Sequence, residues 1–312
     1  MVSSITGILI QYYALLATHG LVAAKFLGEG TFGQVFKALH QDKHCVLKVI
    51  RAKAQAFEVP GHEFLKKLPA EVRKFFSLPL EVVELGKEHV AFALTTIPGA
   101  ITFTQFLEEM LLSAGLEQEQ MLAKILQMYS NILIAVHNLH NHGLVHRDLK
   151  TDNIIVHPET CEIMIIDNGS VCETDKNSVC SFGTPGFWPT RDKAVKASPK
   201  QDIYALHTSI AYTLLKNDTD KFSRYFGKKM VDNWEARTSC FRWGLDVLDF
   251  LRSLPVCPNT IVFGRILKDA FDCPEHTEMF YQDMTKLLPT PSCQAHRLSS
   301  KKEVSWWESI SA

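Results

Sequence analysis

The run Gly28-Glu29-Gly30-Thr31-Phe32-Gly33 narrows the choice of fold more than any other stretch of this chain. A G-x-G-x-x-G pattern alone is weak, because the same letters open the helix of a dinucleotide-binding βαβ unit. The next five residues exclude that unit. Gln34-Val35-Phe36-Lys37-Ala38 continues as a strand-like segment, so the glycines sit in a turn between strands and not at a helix N-terminus. Such a hairpin can fold over phosphates as a lid. Residues 21–50 are rich in Val, Phe and Leu and turn at His40-Gln41-Asp42-Lys43, which predicts three short antiparallel strands.

Fifteen residues beyond Gly33, Lys48 stands in Val46-Leu47-Lys48-Val49 among apolar neighbours. An ammonium on the buried side of a strand needs an anion, and phosphate oxygens together with a carboxylate would satisfy it. Glu63 and Glu71 both fall in a helical stretch after Lys48. Glu71 is the preferred partner, because Val72, Phe75, Phe76 and Leu78 would pack one helix face while the glutamate points across, and Pro79 ends the helix.

Further on the period changes. Leu122, Ile125, Leu126, Tyr129, Ile132, Leu133, Val136 and Leu139 recur at helical spacing over 116–142. Ile154-Ile155-Val156 and Ile163-Met164-Ile165-Ile166 flank His157-Pro158-Glu159-Thr160 as a small hairpin. Ile203, Leu206, Ile210 and Leu214 mark another helix after Asp202, with further helical stretches near 243–253 and 276–288 and a tail over 289–312. A β-rich half followed by an α-rich half, in 312 residues, predicts an α+β chain of about two lobes.

Charge and cysteine usage bound the partners. Thirty-three basic residues against 34 acidic ones give a net charge of -1, so no basic field exists to collect nucleic acid. The eight cysteines include no C-x-x-C pair, which excludes a zinc ribbon or a small disulfide scaffold and fits a reducing cytoplasm. Ile5 to Ala24 carries no formal charge, but its Gln, Tyr, Thr and His residues and the lack of a basic flank favour an element packed on the following domain over a membrane anchor. His137, His140, His142 and His146 crowd together without the spacing of a tetrahedral metal site.

His146-Arg147-Asp148-Leu149-Lys150-Thr151-Asp152-Asn153 matches the catalytic pattern H-R-D-L-K-x-x-N. On this run, the glycine loop and Lys48, the chain resembles the eukaryotic-type protein kinases, serine/threonine branch, over roughly residues 20–290. The resemblance implies a two-lobed kinase-like fold, with an antiparallel β-sheet lobe over 21–97 carrying one main helix, and a larger helical lobe over 98–288. It also implies transfer of the γ-phosphate of ATP, with Mg2+, to Ser/Thr hydroxyls of a protein substrate. By the same resemblance Asp148 orients the acceptor hydroxyl, Lys150 neutralises the moving phosphate, Asn153 and Asp167 hold the metal, and Lys48 with its glutamate grips the phosphates. Nucleotide would rest against Leu27, Gly28, Gly30, Gly33 and Val35. Leu94-Thr95-Thr96-Ile97-Pro98-Gly99 resembles the hinge, with Leu94 at the gatekeeper position and Thr95 to Ile97 beside adenine.

The pattern is not complete. Asp167-Asn168-Gly169 stands where most relatives have Asp-Phe-Gly, so a polar amide replaces the ring that packs beneath the main helix of the small lobe. A looser link between that helix and the metal site is expected. Gly183-Thr184-Pro185-Gly186-Phe187 resembles the substrate-docking segment, yet Trp188-Pro189-Thr190-Arg191 replaces Ala-Pro-Glu. These departures keep two alternatives open, a pseudokinase scaffold and a small-molecule phosphotransferase of kinase-like fold. The resemblance further implies that Arg147 meets a phosphate on the activation segment, for which Thr174, Ser178 and Ser181 are candidates.

Overall fold

The computed structural model of the protein describes residues 5–29, 33–175 and 197–215. Gly30, the docking segment 183–187 with Trp188 to Arg191, the helices expected near 243–253 and 276–288 and the tail all lie outside these residues. The chain divides into two compact units, Met1–Ala100 with Met164–Cys172, and Ile101–Ile163 with Glu173–Ala312.

The first unit opens with helix α1 (Ile5–Thr18). Thr18 Oγ1 donates to the Leu15 carbonyl at 2.7 Å, and Gly20 in the left-handed region at φ 68° ends the helix. Leu16 is buried in one core with Leu21, Phe36, Leu47 and Leu85, so the N-terminal segment does pack on the domain after it. Among the described residues no helix is long and apolar enough to cross a membrane.

Strands β1 (Leu21–Glu29), β2 (Gly33–His40), β3 (Lys43–Arg51), β4 (Pro79–Leu85) and β5 (His89–Leu94) form an antiparallel sheet in the order β1-β2-β3-β5-β4. The expected three-strand meander is present. Gln41 and Asp42, at φ 50° and 63°, make the two-residue turn between β2 and β3 whose twist matches that of its strands. Gly33 is required by closeness, since a Cβ there would lie 2.0 Å from the Val49 carbonyl oxygen of the neighbouring strand. After β3 come helices α2 (Gln55–Lys66) and the single turn α3 (Ala70–Arg73). The helix expected from Glu71 onward stops at Arg73, because Phe75 to Ser77 is drawn out alongside Ile165. Ile165 N donates to Phe75 O at 2.7 Å and Ser77 N donates to Ile165 O at 2.8 Å.

The second unit contains β6 (Ile101–Thr102), α4 (Phe103–Leu112), α5 (Gly115–Asn141), β7 (Leu144–Val145), β8 (Ile154–Val156) and α6 (Pro199–Leu215). A final short strand, β9 (Ile163–Ile165), spans the change of unit. Thr102 and Gln105 form a reciprocal capping box on α4. All eight apolar positions read from the sequence of α5 are buried, each contributing about 1.5–3 kcal/mol by leaving water. The expected hairpin closes through His157 N to Glu162 O and Cys161 N to His157 O, at 2.9 and 3.0 Å.

Candidate active site

Lys48 lies in the middle strand of the sheet, with Val35 as its register partner on β2 and Phe92 on β5. Its Nζ donates to Glu58 Oε1 at 2.7 Å and to Asp167 Oδ1 at 2.6 Å. Burial alone would lower the ammonium's pKa. The two carboxylates more than offset it, and the pKa is raised, so Lys48 stays charged. Glu58 is likewise buried, which would raise its pKa, but the hydrogen bond with His62 and the field of Lys48 hold it below the usual carboxylate value.

The glutamate is thus Glu58 and not Glu71, which is exposed on α3. The reason is the point at which the chain leaves β3. Arg51 passes through a short turn straight into α2, so the first turn of that helix faces the lysine. Pro60-Gly61 inside α2 reads as a helix breaker, and this masks the segment in the sequence. The usable signal was the spacing of Glu58, Gly61, His62 and Leu65, which shares one buried helical face.

Asp167 is held at φ 59°, an uncommon backbone state for a residue with a side chain and one that occurs at functional turns. Its side chain is 42% exposed. Behind it, Asn168 is fully buried, and its Nδ2 donates to the carbonyls of Ser77 at 2.8 Å and Ile165 at 3.3 Å. Gly61 of α2 presses on this turn so closely that a Cβ would lie 2.0 Å from the Asn168 carbonyl oxygen. The missing aromatic ring is replaced by an amide with its own acceptors and by backbone against backbone, for which only glycine leaves room.

In the second unit, the segment 146–153 is organised by Asp202, at the start of α6. Its carboxylate accepts from His146 N and Arg147 N, both at 2.7 Å, and pairs with His140 Nε2 at 2.9 Å. Burial would push this carboxyl up. The His140 hydrogen bond and the neighbouring histidines bring it below its usual value. Arg147 adopts φ 72°, a strain that these backbone bonds sustain. The crowded histidines have local partners as well, Asn141 Nδ2 for His137 and the Asn138 carbonyl for His142.

Asp148 Oδ2 accepts from Lys150 Nζ at 3.3 Å and from Asn153 Nδ2 at 3.1 Å. Asn153 Nδ2 also donates to the Asp148 carbonyl at 2.9 Å. Two acceptors fix this amide, which leaves its oxygen as the side that can meet a cation. A carboxylate oxygen such as that of Asp167 and an amide oxygen such as that of Asn153 are each a hard donor of the kind Mg2+ takes.

Leu27 is exposed at an irregularity of β1 with Gly28, where a Cβ would meet nothing. Leu94 ends β5 in a buried position and Ile97 is buried beyond it. Thr95 is tied on three sides, its N donating to Leu78 O, its Oγ1 accepting from Leu78 N and its carbonyl accepting from Ser77 Oγ at 2.6 Å. Thr174 N donates to Gly143 O at 2.8 Å, while Ser178 and Ser181 lie outside the described residues.

Residues 21–233 match the model of the protein kinase domain. Serine/threonine-protein kinase pkn3 of Myxococcus xanthus is 27% identical over 208 residues, which cover 61% of this chain and 36% of that protein. PknA of a Nostoc species is 26% identical over a stretch of the same length and the same shares. Serine/threonine-protein kinase D of Synechocystis is 31% identical over 119 residues, 35% of this chain and 23% of that protein. The chain thus matches about a third of the length of the first two relatives. With its buried lysine, its carboxylates and Asn153 all lying inside the matched region, this chain belongs to the protein kinase domain family.

Proposed function

We propose that this chain is an ATP-dependent protein kinase acting on Ser/Thr hydroxyls of protein substrates. The observation that carries the reading is Lys48, a buried ammonium set between Glu58 and Asp167 at hydrogen-bond distance from both. A lone buried cation is costly, and the two carboxylates keep this ammonium charged and oriented, ready to hold phosphate oxygens once Mg2+ offsets the carboxylate charge. Mg2+-bound ATP supplies the phosphoryl group and screens its charge.

The chain's own groups do the rest. Lys48, oriented by Glu58, holds phosphate oxygens. Asp167 and Asn153 are the metal ligands. Asp148 accepts the hydrogen bond of the acceptor hydroxyl and orients it for in-line attack, and Lys150 beside it stabilises the charge on the moving phosphoryl group. Leu27, Gly28, Gly33, Val35 and Leu94 to Ile97 form the nucleotide seat. A lysine two residues after the aspartate, and relatives named as serine/threonine kinases, support hydroxyl acceptors on protein. Incubation with labelled ATP, Mg2+ and generic protein substrates should give phosphoserine or phosphothreonine, and Asp148→Asn should not. Nucleotide binding without any transfer would instead mark the chain as a scaffold.

A further inference from the structure

Glu58 has a second partner besides Lys48. His62, one turn further along α2, aims Nε2 at the same oxygen, Oε1, at 3.3 Å. Its ring stacks on Phe92, with centroids 6.1 Å and planes 29° apart. Phe92 is itself the strand partner of Lys48. The imidazole is therefore clamped between the acid that it bonds and the residue lying beside the lysine that this acid holds.

Its protonation pattern is set by its partners. An ionised carboxylate accepts only, so Nε2 carries the hydrogen and donates. His62 is 2% exposed, and its Nδ1 is buried with no hydrogen-bond partner. Nδ1 faces no acceptor, so the only side-chain hydrogen bond this ring offers is directed at Glu58.

We propose that His62 is a positioning residue of the phosphoryl-transfer site, keeping the Glu58 carboxylate turned toward Lys48. The proposal rests on the kinase reading. The last torsion of a glutamate is broad and roughly two-fold, so a carboxylate with one partner can turn away from it. A donor at i+4 on the same rigid helix removes that freedom before any ligand arrives. An aliphatic side chain at position 62 would fill the space against Phe92 but could not donate. That difference separates positioning from packing.

The test uses the full chain and compares His62→Leu, His62→Gln and Glu58→Gln, alone and combined, in steady-state transfer from ATP. His62→Leu should lower kcat on the order of tenfold, with a smaller change in KM for ATP. His62→Gln, which retains a donor, should recover most of the loss. On the Glu58→Gln background His62→Leu should add little, because its route of action is already cut. Nitrogen-15 spectra of labelled histidine should show the His62 hydrogen on Nε2. An active parent matched by His62→Leu, or additive losses in the double variant, would overturn the proposal. Should His62→Leu fail to fold, an Nδ1–H tautomer in the parent, or His62→Gln no better than the Glu58→Gln variant, would overturn it equally. A parent with no transfer activity overturns the kinase reading itself, and the tautomer spectrum still tells whether the His62–Glu58 bond exists.

Discussion

The side-chain amide of Asn168 donates to the carbonyl of Ser77 at 2.8 Å in a position closed to solvent, and Ser77 Oγ in turn donates to the carbonyl of Thr95 at 2.6 Å. The turn that carries Asp167 is thereby linked to the segment leaving β5 through two side-chain hydrogen bonds. Restoring the family's phenylalanine at this position would work against both. Asn168→Phe would strip the Ser77 carbonyl of its donor, at about 1–3 kcal/mol, and would force a larger side chain into filled space. Its urea midpoint should fall and its transfer rate should not exceed that of the parent.

The two candidate glutamates can be told apart by rate. Lys48→Met and Asp167→Ala should each lower transfer by on the order of a hundredfold or more, since the first removes the cation that holds phosphate oxygens and the second a metal ligand. Glu58→Gln should share much of this loss. Glu71→Gln, on an exposed helical turn, should stay within about twofold of the parent. Initial rates at saturating and at low ATP check all four.

Gly61 offers a separate handle on the same turn. Gly61→Ala would place a methyl group 2.0 Å from the Asn168 carbonyl oxygen, so α2 must withdraw and carry Glu58 with it. A stability loss of about 1–3 kcal/mol is expected, with a fall in kcat larger than that of the exposed Glu71→Gln change. Denaturation curves and rates measured side by side show this.

Acid should weaken the second unit through His207 on α6. Its Nδ1 donates to the Ile203 carbonyl at 2.7 Å and its Nε2 accepts from the hydroxyl of Tyr129 on α5, both groups being buried. Burial lowers the pKa of His207 from 6.5 to about 4. The unfolded chain takes up a proton below pH 6.5 and the folded chain does not until about pH 4, so stability is full above 6.5 and falls across that window. The loss amounts to about 3 kcal/mol. Unfolding free energies measured stepwise from pH 7 to 4 should decline, and the paired replacement Tyr129→Phe with His207→Leu should flatten the decline.

Local pattern carried most of the fold. Alternation and a two-residue turn at Gln41-Asp42 are properties of neighbouring residues, and so are the helical rows of α5 and α6. Each was legible because one buried face repeats at a fixed period. The same holds for Lys48, Asp148, Lys150, Asn153 and Asp167, whose residue types and spacing stand in short motifs. Three matters were decided only by tertiary structure. Whether Glu58 or Glu71 meets Lys48 depends on how the chain leaves β3 and on the packing of Phe75 to Ser77 beside Ile165, ninety residues away in sequence. Whether a polar Asn168 loosens or ties its turn depends on the Ser77 and Ile165 carbonyls, which local sequence does not bring near. And Gly61 is required because another backbone passes within van der Waals distance of it. In all three the physical cause is a contact between residues distant in sequence, where burial leaves a polar group no partner except the one the fold delivers.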